Sequence, residues 1–441
     1  MGARETALKA LIACRKDGAW SNGALKDLIL RDKLDGRDAA LASRLCYGVI
    51  QNRNLLDFYL KQLLTGRMKD LPPVLHDILH LGLYQISFMD KIPASAAVNE
   101  SVELAKRYCK RQRFAPGLAN AVLRNAVRTK GTWKEPTSLE DRYSHPAELI
   151  QLLERDLGKE RLEPMLRANN DTPQTVVQVN TLRTTAENLA ESLGRKGVEV
   201  SPHAWMPDCL VLGSTGNLER LEAFQKGLFY VQDPAARLSV LCAGIEEGSR
   251  VLDCCAAPGG KSFAAAIAMK GSGSIISCDI HPHKTLLIQN GARRLGLETI
   301  TAAVQDAARP RDEWVEAMDV VLADVPCSGY GIIRKKPDIR FKSPKSMEEL
   351  PALQLEILCN QANYVKQGGV LLYSTCTLLK RENEEVVRKF LRLRGDFEPE
   401  SLPLPPVFPD CKSGMLTLVP GEYDTDGFFI AKLRRKSCTR I

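Results

Sequence analysis

Apolar residues recur at three- and four-residue spacing through the first 130 positions. The segments ALKALIAC, LASRLCYGVIQN, LLDFYLKQLL, VLHDILHLGLYQI and SAAVNESVELAKRY each place their apolar side chains along one helical face. Pro72-Pro73 and Pro93 punctuate the gaps. The pattern predicts an all-helical unit. It then changes. Residues 131–170 start as a polar linker and end in a helix that His145-Pro146 opens. Between 175 and 232, TVVQVNTLR, TAENLAESLGRKG, VEVSPHAWMPDCLVLG and GLFYVQD mix short strands with a helix, a small α+β unit. Asp233 before Pro234 sets an N-cap residue ahead of a proline at the first helical position, so a helix starts there. From about 248 apolar strands alternate with helices: Arg250–Asp253, Ser274–Asp279, Met318–Asp324 and Gly369–Thr375 read as strands. That rhythm predicts a parallel sheet covered on both faces. The expected domains are 1–135, helical; 136–235, linker and small α+β unit; and 236–441, α/β.

Composition narrows the class. With 441 residues, 44% hydrophobic and 26% charged, the chain can bury ordinary cores and is not a disordered or low-complexity protein. No run of about 18 apolar residues exists, so a membrane span is not expected. The start lacks an apolar core followed by a small-residue cleavage site, and a cytoplasmic protein is expected. The 13 cysteines are odd in number, irregularly spaced and form no CxxC pair, which argues for free thiols in a reducing compartment. His76 and His80 sit four apart, but no acidic or cysteine partner lies at a matching spacing, so no metal site is expected.

Charge is uneven. Residues 1–130 hold 22 Lys and Arg against 12 Asp and Glu, while the remainder holds 39 against 41, so all the net charge of +8 is N-terminal. Between Lys106 and Lys130 there are eight basic residues and no acidic one. Such a field attracts phosphate backbones.

The loop after the first strand of the α/β region is VLDCCAAPGGKS, Val251–Ser262. A P-loop needs a glycine separated by four residues from the glycine of Gly260-Lys261-Ser262, and that position is Cys255. The dinucleotide GxGxxG is absent as well. What remains is a turn built on Pro258, Gly259 and Gly260 that brings backbone N–H groups close to a ligand at the carboxyl edge of the sheet. Asp279 ends the second strand, where a carboxylate takes a ribose hydroxyl pair, and Asp306 is placed to read a base edge. A nucleoside-bearing cofactor follows. Further along, ADVPCSGYG puts Asp324 and Cys327 on one strand exit and YSTCTL puts Cys376 on another. Two thiols and a carboxylate facing a cofactor loop suit cytosine methylation at carbon 5. That carbon is a poor nucleophile until a thiolate adds at carbon 6, and Lys261 is a candidate cation to favour the thiolate.

AAPGGK, DVPCSG and YSTCTL, in that order, resemble motifs I, IV and VI of the S-adenosylmethionine-dependent RNA cytosine-5 methyltransferases of the Sun-like family, and the ending DGFFIAKL (Asp426–Leu433) is similar to theirs. DFYLKQLL, LHLGLYQI, IPASAAVNESVELAK and LANAVLRNAVR resemble the NusB-like RNA-binding domain. The resemblance spans nearly the whole chain. It implies an all-α NusB-like domain, a small α+β middle unit and a Rossmann-like methyltransferase domain. It also implies that S-adenosyl-L-methionine is the cofactor and 16S rRNA the substrate, as free RNA or an early assembly intermediate. A monomer away from membranes is expected. By the same resemblance, Cys376 adds to carbon 6, Cys327 helps resolve the adduct and Asp324 binds the cytosine edge. Cys255, Ala256, Ala257, Pro258, Gly259, Gly260, Lys261, Asp279, Asp306 and Asp324 would hold the cofactor.

The sequence departs from the family's pattern at Lys380 and Arg381, where Pro and Glu are usual, at Tyr330, and at Gln178, which stands for a frequent Arg and bears on an RNA or packing contact. Two rival readings remain: a DNA cytosine-5 methyltransferase using Cys327 as nucleophile, and a NusB-like antitermination or assembly factor without catalysis. If the basic N-terminal region grips RNA backbone, affinity for RNA falls steeply between 50 and 200 mM salt, roughly in proportion to the phosphates neutralised. A flat titration by filter binding contradicts that role.

Overall fold

VLHDILHLGLYQI forms the helix Pro73–Phe88, with Pro73 at its first position, where the missing N–H costs nothing. Eleven of its 16 residues are buried, from Leu75 to Ile86, so it is the central helix of its unit rather than a surface one. The helices Ala3–Asp17, Gly36–Gln51, Arg53–Leu63, Ala94–Tyr108 and Ala115–Thr129 contribute the surrounding core, among them Leu8, Leu45, Leu56, Leu60, Leu104 and Leu123. The computed structural model describes residues 2–17 and 19–437. The chain divides into two units: Met1–Glu154 with Leu166–Asp171 and Ile333–Lys342, and Arg155–Met165 with Thr172–Ile332 and Ser343–Ile441.

Two features of the helical unit were invisible in the sequence. His76 and His80 do have an acidic partner: Asp57, on the helix Arg53–Leu63, accepts from both Nε2 atoms at 2.7 Å. Burial opposes ionisation, yet the two imidazoles hold the Asp57 carboxyl well below its ordinary range. The second feature is the segment Ile333–Lys342, which follows the DVPCSG motif in the chain but clusters with the helical unit. Its Arg340 is fully buried and donates to the carbonyls of Gln51 at 2.9 Å, Tyr143 at 3.2 Å and Asn169 at 3.3 Å, and to Asn170 Oδ1 at 2.9 Å.

The second unit carries two sheets. The smaller is antiparallel: β1 (Thr175–Val179), β2 (Glu199–Pro202), β3 (Cys209–Gly213) and β4 (Phe229–Val231), in the order β2-β3-β1-β4. Gln178 on β1 is 1% exposed and donates to Cys209 Sγ at 3.3 Å and Gln232 O at 3.2 Å, so this departure from the family's pattern is a packing contact, not an RNA contact. Asn180 donates to Gly227 O at 3.0 Å and Leu295 O at 2.9 Å, tying the small sheet to the larger layer. Asp233 caps the helix Pro234–Ala243, accepting from Ala235 N at 3.0 Å.

The larger sheet contains β5 (Arg250–Asp253), β6 (Ser274–Asp279), β7 (Ile300–Val304), β8 (Met318–Asp324), β9 (Val365–Thr375), β10 (Phe397–Pro399), β11 (Met415–Leu418) and β12 (Phe428–Arg435). Its order is β10-β12-β9-β8-β5-β6-β7, with β11 paired to β12. β5 to β9 run parallel, as expected, but β12 is antiparallel to β9, β10 and β11. The sheet is therefore mixed. FFIAKL is buried throughout, and a strand buried on both faces reads the same in either direction, so periodicity could not reveal this. The helices Gly260–Ala268, Pro282–Leu295, Leu350–Ala362 and Glu384–Leu393 accompany the sheet. No described helix is long and apolar enough to cross a membrane.

Asp57→Asn leaves both imidazole N–H groups without a charged acceptor. The helical unit should lose about 1–3 kcal/mol, read as a lowered urea midpoint in full-length protein.

Candidate active site

Parallel strands deliver their exits to one edge of a sheet, which is where open α/β sheets bind ligands. Here β5 ends at Asp253, β6 at Asp279, β8 at Asp324 and β9 at Thr375, and Asp306 lies two residues past β7. A cavity of about 530 Å³ opens along this edge. Of the residues expected to hold the cofactor, Cys255, Asp279 and Asp306 line it. Ala256, Ala257, Pro258, Gly259, Gly260, Lys261 and Asp324 are not in its wall. Cys254, Ile280, His281, Lys284, Pro326 and Ile357 also line it and were not foreseen. Asp279 Oδ1 accepts from His281 N and Asp306 Oδ1 from Ala308 N, each at 3.0 Å, so each carboxylate is fixed by the backbone two residues on.

Gly259 sits at φ 114, a conformation that favours glycine, and a Cβ there would come within 2.4 Å of the Phe263 ring. This turn starts the helix Gly260–Ala268 and aims Lys261 at β8. Lys261 Nζ meets Asp324 Oδ2 at 2.6 Å and lies 5.0 Å from the Phe428 ring centroid. Burial works against the ammonium, but Asp324 first and Asp253 after it push Lys261 above its ordinary value. Asp324 Oδ1 accepts from Ser374 Oγ at 2.9 Å, a bond made across the β8–β9 ladder, where Asp324 is opposite Ser374.

From that rung the chain runs three residues to Cys327 and two to Cys376. Their Sγ atoms are 3.2 Å apart, close enough for an S–H···S contact and far longer than a disulfide bond of about 2.05 Å. Both are free thiols. The contact with Cys376 and then burial drive the Cys327 thiol well above its usual value. The two loops are stitched together: Ser328 Oγ and Thr377 Oγ1 are 2.7 Å apart, and Gly331 N donates to Cys376 O at 2.9 Å. Gly331 in turn accepts from Gly427 N at 2.8 Å, and a Cβ on Gly331 would fall 2.1 Å from Gly427 O. Tyr330, one of the departures from the family's pattern, is fully buried. Lys380 N donates to Asp156 Oδ2 at 3.1 Å and Arg381 to Pro344 O at 3.4 Å, so both other departures are tied down by local bonds.

Asp253 was overlooked, because nothing in VLDCC separates it from a strand-end residue. It is fully buried, its Oδ2 accepts from Ser262 Oγ at 2.7 Å, and Ser262 is joined by Ser277 Oγ at 2.7 Å.

Residues 240–434 match the family described as 16S rRNA methyltransferase RsmB/F, residues 1–128 the NusB family, and residues 145–219 an RsmF/B-like ferredoxin-like domain. A probable ribosomal RNA small subunit methyltransferase B of Bacillus subtilis (strain 168) is 36% identical over 98% of both chains. The chain belongs to the ribosomal RNA small subunit methyltransferase B family. The crystal structure of PH0851 superposes with a TM-score of 0.81 at 26% identity, covering 98% of each chain. The structure of NSun6 from Pyrococcus horikoshii with SFG shares the fold, with a TM-score of 0.60 at 21% identity over 66% of this chain and 98% of its own. Family membership makes the chain an S-adenosylmethionine-dependent methyltransferase of small-subunit rRNA. The site fits that cofactor: the cavity lies within the usual 300–1,000 Å³ of ligand pockets, and two backbone-fixed carboxylates stand in its wall.

Burial raises the Asp253 carboxyl to about 6 from its model-peptide range near 4. A raised carboxyl favours the folded state only while protonated, so this contribution is complete below about pH 4 and is lost as pH rises through about 6. Asp253→Asn removes the cost of charging. The variant should exceed the parent by about 1–3 kcal/mol at pH 8 and by less as pH falls toward 4. Urea midpoints across that range measure it, and a pH-independent difference contradicts the assignment.

Proposed function

We propose that this enzyme methylates carbon 5 of a cytosine in 16S rRNA through a covalent adduct with Cys376. The observation that carries the reading is the pair of free thiols 3.2 Å apart on adjacent strand exits, beside a lysine–carboxylate pair. The target base must leave its stack for a thiol to reach its face, so a loop or bulge cytosine is the expected substrate, accessible before the subunit is assembled.

Cys376 gives its proton up and its sulfur bonds to carbon 6. The electron pair of the 5,6 double bond moves toward carbon 5, and ring nitrogen 3 takes up the proton, leaving a neutral enamine that is nucleophilic at carbon 5. Asp324, placed by Lys261 and Ser374, accepts from the N–H groups of that pyrimidine edge, the exocyclic amine and the protonated ring nitrogen. Lys261 supplies the compensating cation for both the carboxylate and the thiolate. S-adenosylmethionine, held by the Cys255–Lys261 loop, Asp279 and Asp306, supplies an electrophilic methyl group when bound. Cys327 then helps resolve the adduct: the carbon-5 proton leaves to a base at this position, the double bond re-forms, and the Cys376 sulfur is expelled.

The alternative in which Cys327 is the nucleophile has the opposite signature. Cys376→Ala should abolish turnover. Cys327→Ala should still attack and accumulate protein bound to RNA, seen as a retarded band on a denaturing gel. An adduct lost with Cys327→Ala and kept with Cys376→Ala reverses the roles. RNA binding with no transfer from labelled cofactor selects the non-catalytic factor instead. Bisulfite sequencing of rRNA from a deletion strain should reveal one newly unmethylated cytosine.

A further inference from the structure

One buried carboxylate near the thiols has no part in the chemistry above. Glu382 lies six residues beyond Cys376, in the Glu-Asn-Glu stretch that the chain keeps after its Cys376 motif, and is fully buried. Its Oε2 accepts from Ser328 N at 2.9 Å and from Gln354 Nε2 at 3.0 Å. Gln354 Nε2 also donates to Pro326 O at 2.9 Å. The backbone on both sides of Cys327 is therefore gripped, Pro326 by Gln354 and Ser328 by Glu382. The Glu382 Oε1 atom, buried among the same residues, has no hydrogen-bond partner among the described residues. The next residue, Asn383, does the same for the other thiol: its Oδ1 accepts from Thr375 Oγ1 at 2.6 Å and its Nδ2 donates to Thr377 O at 3.0 Å, bracketing Cys376. Two consecutive side chains thus hold the two cysteines, one each. Tyr373 OH, donating to Glu382 O at 2.6 Å, fixes the dipeptide on β9.

We propose that Glu382 is a positioning residue for methyl transfer: its carboxylate fixes the Cys327 loop against Cys376 and disfavours a second negative charge on Cys327. The thiols are chemically identical, and only their surroundings can divide the work between them. A carboxylate bonded to the amide just after Cys327 opposes ionisation there, while the lysine that favours a thiolate is paired on the Asp324 side. Asp324 is the other carboxylate facing Cys327, and Tyr373 lies in the same environment. This role rests on the two-thiol reading above.

Iodoacetamide labelling of the full-length chain between pH 6 and 10, with peptide mass spectrometry of Cys327, tests it without needing RNA. The native Cys327 midpoint should lie above that of the same cysteine in the urea-unfolded chain; equal midpoints overturn the proposal even if no variant folds. Glu382→Gln keeps an oxygen that can accept from Ser328 N but loses the charge, and should bring the Cys327 midpoint down by about one pH unit. Glu382→Asp keeps the charge but shortens the reach. Its midpoint should stay high while kcat drops by about tenfold or more and KM for rRNA stays within about twofold. An unmoved Cys327 profile in Glu382→Gln, with cofactor affinity intact, overturns the proposal. The Cys327→Ala adduct test separates the two ideas. A shifted profile without any adduct removes the carbon-5 chemistry and leaves Glu382's role, whereas an adduct with an unshifted profile does the reverse.

Discussion

The approach of Cys327 and Cys376 is a constraint imposed by the sheet, not an attraction between the thiols. An S–H···S contact is too weak to draw two loops together, so the 3.2 Å separation has to come from the backbone. β8 and β9 are adjacent and parallel, and their register sets Asp324 beside Ser374. The two cysteines then lie within three residues of one rung. A slip of one residue would turn every side chain on one strand to the other face and would separate Asp324 from Ser374. The hydroxyl contact between Ser328 and Thr377 and the bond from Gly331 to Cys376 lock the loops once the register is set.

The same rung concentrates charge where the fold gains least from it. Lys261 answers two carboxylates, Asp324 at 2.6 Å and the buried Asp253 through its field. Gln354 Oε1 and Glu382 Oε1 are buried with no hydrogen-bond partner among the described residues. In the helical unit Asp57 is met by two imidazoles, and Arg340 donates to carbonyls of that unit and to Asn170.

Much of the site was legible because parallel sheets put their exits on one edge. Once β5, β6, β8 and β9 could be recognised as apolar strands, Asp279, Asp324, Cys327 and Cys376 had to share that edge. What escaped was information that no local pattern carries. Asp57 meets His76 from 19 residues upstream, on another helix. Ile333–Lys342 reads as a continuation of the cysteine loop, yet its arginine is solvated by carbonyls of the helical unit. The direction of β12 is absent from its hydrophobicity. Gln178 was read against an arginine, but β1 is buried on both faces from Val176 to Val179, and Cys209 and Gln232 O take its amide. Nothing in the sequence singles out Glu382, and only the fold brings its carboxylate to Ser328.

Two like charges separated by about 3 Å repel by roughly 5 kcal/mol at an effective dielectric constant of 20. Cys327 and Cys376 therefore cannot both be thiolates while they remain in contact. Ionising one holds the proton on the other, and the state of each is tied to the state of its neighbour. In the proposed reaction, adding the Cys376 sulfur to carbon 6 would change this balance at once: its charge would pass into the pyrimidine ring, and the repulsion that keeps Cys327 protonated would fall away. The second thiol would become easier to ionise only after the first has bonded to the substrate. Proximity alone would then order the two steps, with the lysine–Asp324 pair on one side and Glu382 on the other setting which sulfur goes first.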